Sequence, residues 1–495
     1  MKNDDTAVRP RAEPAVGGDV GAPVLVVDLD GTLSRTDTLH ESLVNLVTRR
    51  PAHIPGVIAA LLQGKAAFKR KVAQLHVTPG QGLSYDPTVL EILQDARQEG
   101  RRTALVSASE QRQVDAVADH LGLFDDAYGT GEASGGRNLG GEAKAEFLVR
   151  RYGQKGFDYV GDARTDLSVW SAARIAVTLG AGGALRQAAE AANPNVLHLS
   201  PSNGLDRMRA LMKALRPHQW SKNVLIFLPM LAAHDVTALP AALAAFVAFC
   251  LTASSVYLIN DLVDLQADRT HPRKRARPFA SGALPISLGV VLAPVLVVLA
   301  VLIALIWTPP VFLASLLAYY LVTFAYSFWL KRKALVDVLT LAGLYTARIV
   351  AGAAASGVGL SPWMLGFSMF LFLALAAVKR QAELVQQAPG TKPAARGYEA
   401  GDLPLLREIA LVSGFSAVVV FALYISSEDV LRLYSMPEML WLICPLLLYW
   451  IGRMVLMTHR GWMADDPIVF AARDWPSWLV VLLSVGIVIG AGVWS

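Results

Sequence analysis

Cysteine is almost absent, two residues in 495. No disulfide framework and no thiolate metal site can be built from that pair. Cys250 and Cys444 both fall in apolar runs and read as small buried hydrophobes. Long apolar runs are missing from the first 216 residues, and charge is scarce over most of the chain beyond them. The opening stretch (Asp4, Asp5, Pro10, Pro14, Gly17, Gly18) has no hydrophobic core of a signal peptide and no apolar period, so residues 1–21 are expected to be disordered. A formal net charge of +5 without a basic–aromatic nucleic-acid motif excludes nucleic acid as the obvious partner. It points instead to a membrane surface and to phosphate.

What is there divides into two chemistries. From residue 222 onward apolar segments long enough to cross a bilayer recur, and nine are expected: 222–234, 238–260, 286–306, 309–329, 335–356, 362–379, 404–425, 438–457 and 476–493. One set of loops carries Arg269, Arg273, Lys274, Arg275, Arg277, Lys331, Arg332, Lys333, Lys379, Arg380, Lys392, Arg396, Arg460 and Arg473; the opposite set carries Arg432. This bias places the basic loops and the preceding soluble part in the cytoplasm, predicts a multi-pass protein of the inner membrane in contact with its lipids, and leaves the C-terminus on the other side. Residues 201–220 form the link, with Leu205, Met208, Leu211, Met212 and Leu215 on one helix face flanked by basic residues. That pattern suits an interfacial helix, or one packed on the soluble domain.

In the soluble part, Val24–Val27 reads as a buried strand ending in Asp28-Leu29-Asp30-Gly31-Thr32. A second strand ends at Ser107, Lys144 opens a helix, and a third strand ends at Gly161-Asp162 with Asp166 four residues on. Open α/β sheets gather ligands at the carboxyl ends of their strands, where all these polar residues fall. The expected chemistry is phosphoryl transfer. Asp28 attacks phosphorus, Asp30 protonates the leaving group, Ser107 and Lys144 hold phosphate oxygens, and Asp162 with Asp166 completes a Mg2+ site alongside Asp28 and Asp30. The four motifs, in this order over residues 22–200, resemble the haloacid dehalogenase-like phosphatases. The resemblance implies an α/β Rossmann-like domain with a helical cap at about 35–90, where Lys65, Lys69, Arg70 and Lys71 could meet phosphate. Ser107-Ala108-Ser109 lacks the glycine often beside the serine in that family.

In the membrane part, Asn260-Asp261-x-x-Asp264-x-x-x-Asp268 closes an apolar run and opens a basic loop through Arg273 and Arg277. Acids three and four apart share one face of a helix. Such a cluster is costly at a membrane unless a divalent cation carrying a diphosphate neutralises it. With Arg216-Pro217-His218-Gln219-Trp220-Ser221-Lys222-Asn223, this run resembles the UbiA superfamily of intramembrane prenyltransferases over about residues 214–494, with the transferase domain expected at 221–495. That implies an all-α polytopic domain in which Asp261, Asp264 and Asp268 hold Mg2+ on a diphosphate. The aromatic-prenylating members carry a second acidic cluster after the sixth span. Here the loop begins Lys379-Arg380-Gln381-Ala382-Glu383, and the loop after the fourth span offers Tyr326 and Lys331.

One acidic pole and two basic ones favour an acceptor that carries phosphate. The pattern is similar to the decaprenyl-phosphate phosphoribosyltransferase branch of the superfamily. The implied reaction moves 5-phosphoribose from phosphoribosyl diphosphate to a polyprenyl phosphate. Asp261, Asp264 and Lys331 are the catalytic candidates, and Lys222, Asn223, Asn260, Arg273, Arg277, Tyr326, Lys379, Arg380 and Glu383 the substrate-binding ones. The fused phosphatase would act on the product. Prenyl transfer from a polyprenyl diphosphate to a small aromatic or other acceptor is the alternative. A transporter with a regulatory soluble domain is the alternative of another class, disfavoured because the polar residues gather on one face. Oligomeric state is open, and Arg453, Asp465 and Asp466 have no role at this stage.

Overall fold

The computed structural model describes residues 22–131, 137–199, 204–386, 397–463 and 466–492. The expected disordered N-terminus, the Lys65 side chain, Lys392, Arg396 and Asp465 lie outside the described residues. The chain forms two compact units, one of residues 1–208 with 265–286 and one of residues 209–264 with 287–495.

The first unit is built on a six-stranded parallel sheet: β1 Val24–Val27, β2 Thr103–Glu110, β3 Asp126–Thr130, β4 Phe157–Gly161, β5 Ala176–Leu179 and β6 Val196–Leu199, in the order β3-β2-β1-β4-β5-β6. β1 is central because its four residues are all buried, apolar and β-branched or leucine. Its register sets Val27 beside Leu105 of β2 and Val160 of β4. All three strands therefore deliver their last residues to the same edge, where the order reverses direction about β1. Between β1 and β2 the chain forms the expected cap helices α1 Thr38–Arg49, α2 Ile54–Leu62 and α3 Lys65–Leu75, packed through Leu46, Val57 and Val72. Helix α4 Glu142–Tyr152 follows β3. Residues 265–286 join this unit through Arg269, whose guanidinium donates to both oxygens of Glu41 on α1 at 2.6 and 2.9 Å.

The second unit is helical: α5 Leu239–Val263, α6 Ile286–Trp307, α7 Pro310–Phe328, α8 Val336–Ser356, α9 Pro362–Val385, α10 Leu403–Ile425, α11 Ile443–His459 and α12 Trp475–Gly492. Among the described residues eight helices are long and apolar enough to cross a membrane, so the expected nine regular spans are not confirmed. The missing one is 222–234, which forms a 3-10 stretch at Pro217–Phe227 and a short helix at Leu228–Ala232. Pro217 and Pro229 remove backbone donors, and His218, Gln219, Ser221, Lys222 and Asn223 make the stretch polar. This segment still runs the length of the bundle. Arg216 meets Asp261 at one end, and His234 meets Tyr434 at the other. Irregular backbone at this depth is tolerated only inside protein, and Asn223 and Ile226 are fully buried. Gly352 of α8 allows the approach, since a Cβ there would lie 2.1 Å from the Ile226 carbonyl oxygen. Small buried residues of α5 (Ala242, Ala245, Ala248, Ala253) let neighbours close in similarly, while Val298, Leu302 and Leu305 of α6 face outward as a lipid-contacting surface does.

Candidate active sites

In the first unit the polar ends of β1, β2, β4 and the start of α4 converge. Lys144 Nζ lies 2.9 Å from Asp28 Oδ1 and donates to the Tyr159 hydroxyl at 2.8 Å; that hydroxyl donates to Asp166 Oδ1 at 2.9 Å. Thr32 Oγ1 donates to Asp162 at 3.0 Å. Gly31, with φ +83°, is required twice over: its backbone is left-handed, and an added Cβ would strike the Asp162 carboxylate at 2.4 Å. Asp28, Asp162 and Asp166 offer oxygens all within 4.8 Å of one another. Burial, then the charges of Asp28 and Asp166, pushes Asp162 up to about 7, and burial raises Asp28 and Asp166 against the pull of Lys144. Three crowded, poorly solvated carboxylates with one lysine suit a divalent cation, which would hold all three ionised.

Asp30 stands apart from that cluster. Thr38 N donates to its Oδ1 at 2.8 Å and Ser109 Oγ to its Oδ2 at 2.5 Å. Its pKa is raised, by burial first and then by the negative charge of Asp37, which suits a proton donor more than a ligand. Ser109, two residues past Ser107, thus holds Asp30 in place. Ser107 Oγ is buried behind it and accepts from Ser109 N at 3.1 Å. Lys69 fastens the cap, donating to the Ala108 carbonyl at 2.9 Å and Asn138 Oδ1 at 3.1 Å, rather than reaching for phosphate.

In the second unit the acidic helix end is α5. The expectation that Asp261, Asp264 and Asp268 share one helix face is corrected: α5 stops at Val263, Asp264 caps it with its N–H on the Asn260 carbonyl at 2.9 Å, and a new short helix, Leu265–Thr270, carries Asp268. The break falls at Asp264, and Leu265, the first residue of the new helix, is buried. Asp268 belongs to the first unit and accepts from Arg277 at 2.6 Å, and Arg273 is exposed. Asp261 accepts from Arg216 at 2.5 Å. Arg216 has a left-handed φ of 53° and lies 5.0 Å from the centre of the Tyr257 ring, a strained residue held by its two partners. Asp264 is half-exposed, with Lys331 Nζ at 3.9 Å.

The basic residues form two sets. Arg380 donates to Asp337, to the Tyr326 hydroxyl at 2.9 Å and to Glu383 at 2.6 Å, and Tyr326 donates to Asp337 at 2.8 Å. This network is nearly closed and Arg380 is buried in it, with Glu383 three residues on as one of its partners. Lys379 instead reaches Asp466 Oδ2 at 2.8 Å, and Lys222 reaches the same oxygen at 2.9 Å. Burial opposes ionisation of Asp466, but the two ammonium groups outweigh it and hold the carboxyl well below the usual range. Arg453 pairs with both oxygens of Asp474 at 2.7 and 3.0 Å.

Five residues escaped the sequence reading: Ser109, Tyr159, Tyr257, Tyr319 and Arg348. The tyrosines are invisible among ordinary buried aromatics. Arg348 carried a signal, a charge in mid-span.

The sequence matches the UbiA prenyltransferase family over residues 224–473 and haloacid dehalogenase-like hydrolases over residues 25–170. It is 37% identical to an uncharacterized protein, y4nM, of Sinorhizobium fredii, covering 92% of this chain and 88% of that one. It is 36% identical to the nodulation protein NoeC of Azorhizobium caulinodans, covering 56% and 91%. It is 39% identical to a decaprenyl-phosphate phosphoribosyltransferase of Mycolicibacterium smegmatis, covering 44% and 71%. Both matched families depend on Mg2+, and the clustered carboxylates Asp28, Asp162 and Asp166 of the first unit suit it. The chain is therefore an enzyme that belongs to the UbiA prenyltransferase family and carries a haloacid dehalogenase-like domain at its N-terminal side.

Proposed function

We propose that the membrane unit transfers 5-phosphoribose from phosphoribosyl diphosphate to a polyprenyl phosphate with release of diphosphate, and that the first unit then removes the 5-phosphate. The observation that carries the reading is the Lys222–Asp466–Lys379 cluster. Where a neutral acceptor would need no cations, two lysines share one carboxylate, and Lys331 adds a third near Asp264. Relatives named decaprenyl-phosphate phosphoribosyltransferase support it. The basic loops, Lys331 and Lys379 among them, are assigned to the cytoplasmic face of the inner membrane, with the C-terminus opposite.

Asp261 and Asp264 would hold Mg2+, which neutralises the diphosphate and eases its departure. Lys331 stabilises charge on the departing diphosphate as the C1–O bond breaks, and the lipid phosphate oxygen closes on C1. Arg216 holds the Asp261 carboxylate in position until the donor arrives. In the other unit Asp28, Asp162 and Asp166 would hold Mg2+. Asp28 attacks the 5-phosphate while Asp30 protonates the ribose oxygen. Asp30 then takes a proton from a water that attacks the phosphorus, so that the bond to Asp28 breaks and inorganic phosphate leaves. Ser107 and Lys144 hold the phosphate oxygens.

The test supplies full-length protein with Mg2+, labelled phosphoribosyl diphosphate and a polyprenyl phosphate. Wild type should yield diphosphate, inorganic phosphate and lipid-phosphoryl-ribose, while Asp28→Asn should stop at the 5-phosphate. Products formed only from prenyl diphosphates and aromatic acids would sink the phosphoribosyl reading. Identical products from both proteins would sink the coupling.

A further inference from the structure

Arg348 has no place in either reaction. It is the thirteenth residue of α8, so its Cα lies roughly 18 Å from the helix start, well inside the bilayer span. Its side chain is more than nine-tenths buried. Buried arginines are ordinarily neutralised, as Arg380 is by Asp337. Arg348 is not: among the described residues no carboxylate forms an ion pair with it. Its partners are neutral. Nε donates to Asn223 Oδ1 at 2.9 Å, one terminal nitrogen to the Leu344 carbonyl at 2.5 Å, and the other to the Tyr319 hydroxyl at 2.7 Å. Five N–H groups are available and three are used. One is left on each terminal nitrogen, and each can still donate to an oxyanion.

The surroundings extend the argument. The Leu344 contact shows that the guanidinium lies back toward the start of α8, by Tyr345. It stands 5.4 Å from the centre of the Tyr345 ring, and Lys222 stands 5.8 Å from the same ring. Lys222 is joined through Asp466 to Lys379. Three cations against one carboxylate leave two positive charges unmatched in a low-dielectric interior. That is the charge of a phosphate monoester dianion.

We propose that Arg348, positioned by Asn223 and Tyr319 and assisted by Lys222, is the binding site for a phosphate monoester inside the helical bundle. Under the proposed function two sources of that group exist, the acceptor lipid phosphate and the 5-phosphate of the donor. The inference rests on that reading for its physiological ligand, and on the geometry alone for its anion.

Full-length wild type, Arg348→Gln and Arg348→Lys are titrated in detergent at fixed Mg2+ with phosphoribosyl diphosphate and, separately, with a short polyprenyl phosphate. Arg348→Gln should weaken one of the two by about tenfold or more, with the other nearly unchanged and Arg348→Lys recovering part of the loss. Loss confined to the lipid assigns the acceptor; loss confined to the donor assigns its 5-phosphate. Unchanged affinity for both, or an equal fall in both with a lowered melting temperature, overturns the site. Inorganic phosphate, against matched chloride, should also raise the melting temperature of wild type more than that of Arg348→Gln. If wild type binds neither substrate, the proposed function falls, and this last comparison still upholds or overturns the anion site: equal shifts overturn it.

Discussion

Asp30 and Asp37 show how a single neighbour tunes a proton donor. Asp37 caps α1, accepting from Leu39 N and His40 N, and its charge helps raise Asp30. Asn caps a helix as well as Asp does, so Asp37→Asn removes the charge and keeps the cap. With that repulsion gone the Asp30 pKa falls toward the ordinary carboxyl range. Asp30 must be protonated when the leaving group departs, so the alkaline limb of the phosphatase rate should move to lower pH. A pH profile of the full-length protein on a soluble phosphate ester checks it; an unmoved limb would remove Asp30 from the proton-donor role. That Asp28, Asp30, Lys144 and Asp162 would lie together at the strand ends was legible from strand ends and motif order. Tyr159 and Ser109 were not, because their importance lies in which hydroxyl touches Lys144 or Asp30 after folding.

At the scale of elements, the segment 217–232 is the departure from expectation. Hydropathy counted 222–234 among the spans, and Pro217 and Pro229 account for its irregular backbone. Its path through the bundle depends on Gly352, a position that periodicity treats as any small residue. Gly352→Ala should force α8 and the 217–227 backbone apart, costing about 1–3 kcal/mol as overpacked sites do, read as a lower melting temperature in detergent. Gly343→Ala on the same helix, where a Cβ meets nothing within 4 Å, is the control and should be nearly neutral. Equal effects from the two would refute the close-approach argument. The same logic explains the break in the acidic motif: spacing alone cannot tell a continuous helix from two helices meeting at a cap, and Asp264 is that cap.

At the scale of the whole chain, two chemistries sit in two compact units. Their carboxylate sets are separate, so they should fail separately. Asp261→Asn removes a charge that would hold the diphosphate-bound cation and should cut diphosphate release by about a hundredfold or more, in the range seen when a charge-stabilising group is lost. Hydrolysis of a soluble phosphate ester by the same variant should stay close to wild type. Parallel loss of both activities would mean one functional site, not two.

The linear sequence by itself determined the split into an α/β and a membrane-helical part, the parallel strands, the helices between the first two of them and the two acidic motifs. These are local or periodic properties, written in runs, spacings and strand ends. Tertiary structure alone decided which charges neutralise one another. Lys379 leaves its helical neighbour Glu383 for Asp466, 87 residues away; Arg453 finds Asp474; and Arg348 is left among neutral partners. Pairing in a low-dielectric interior depends on distance in space, which no spacing along the chain encodes. The same interior that makes an unmatched cation costly makes it a strong site for an anion.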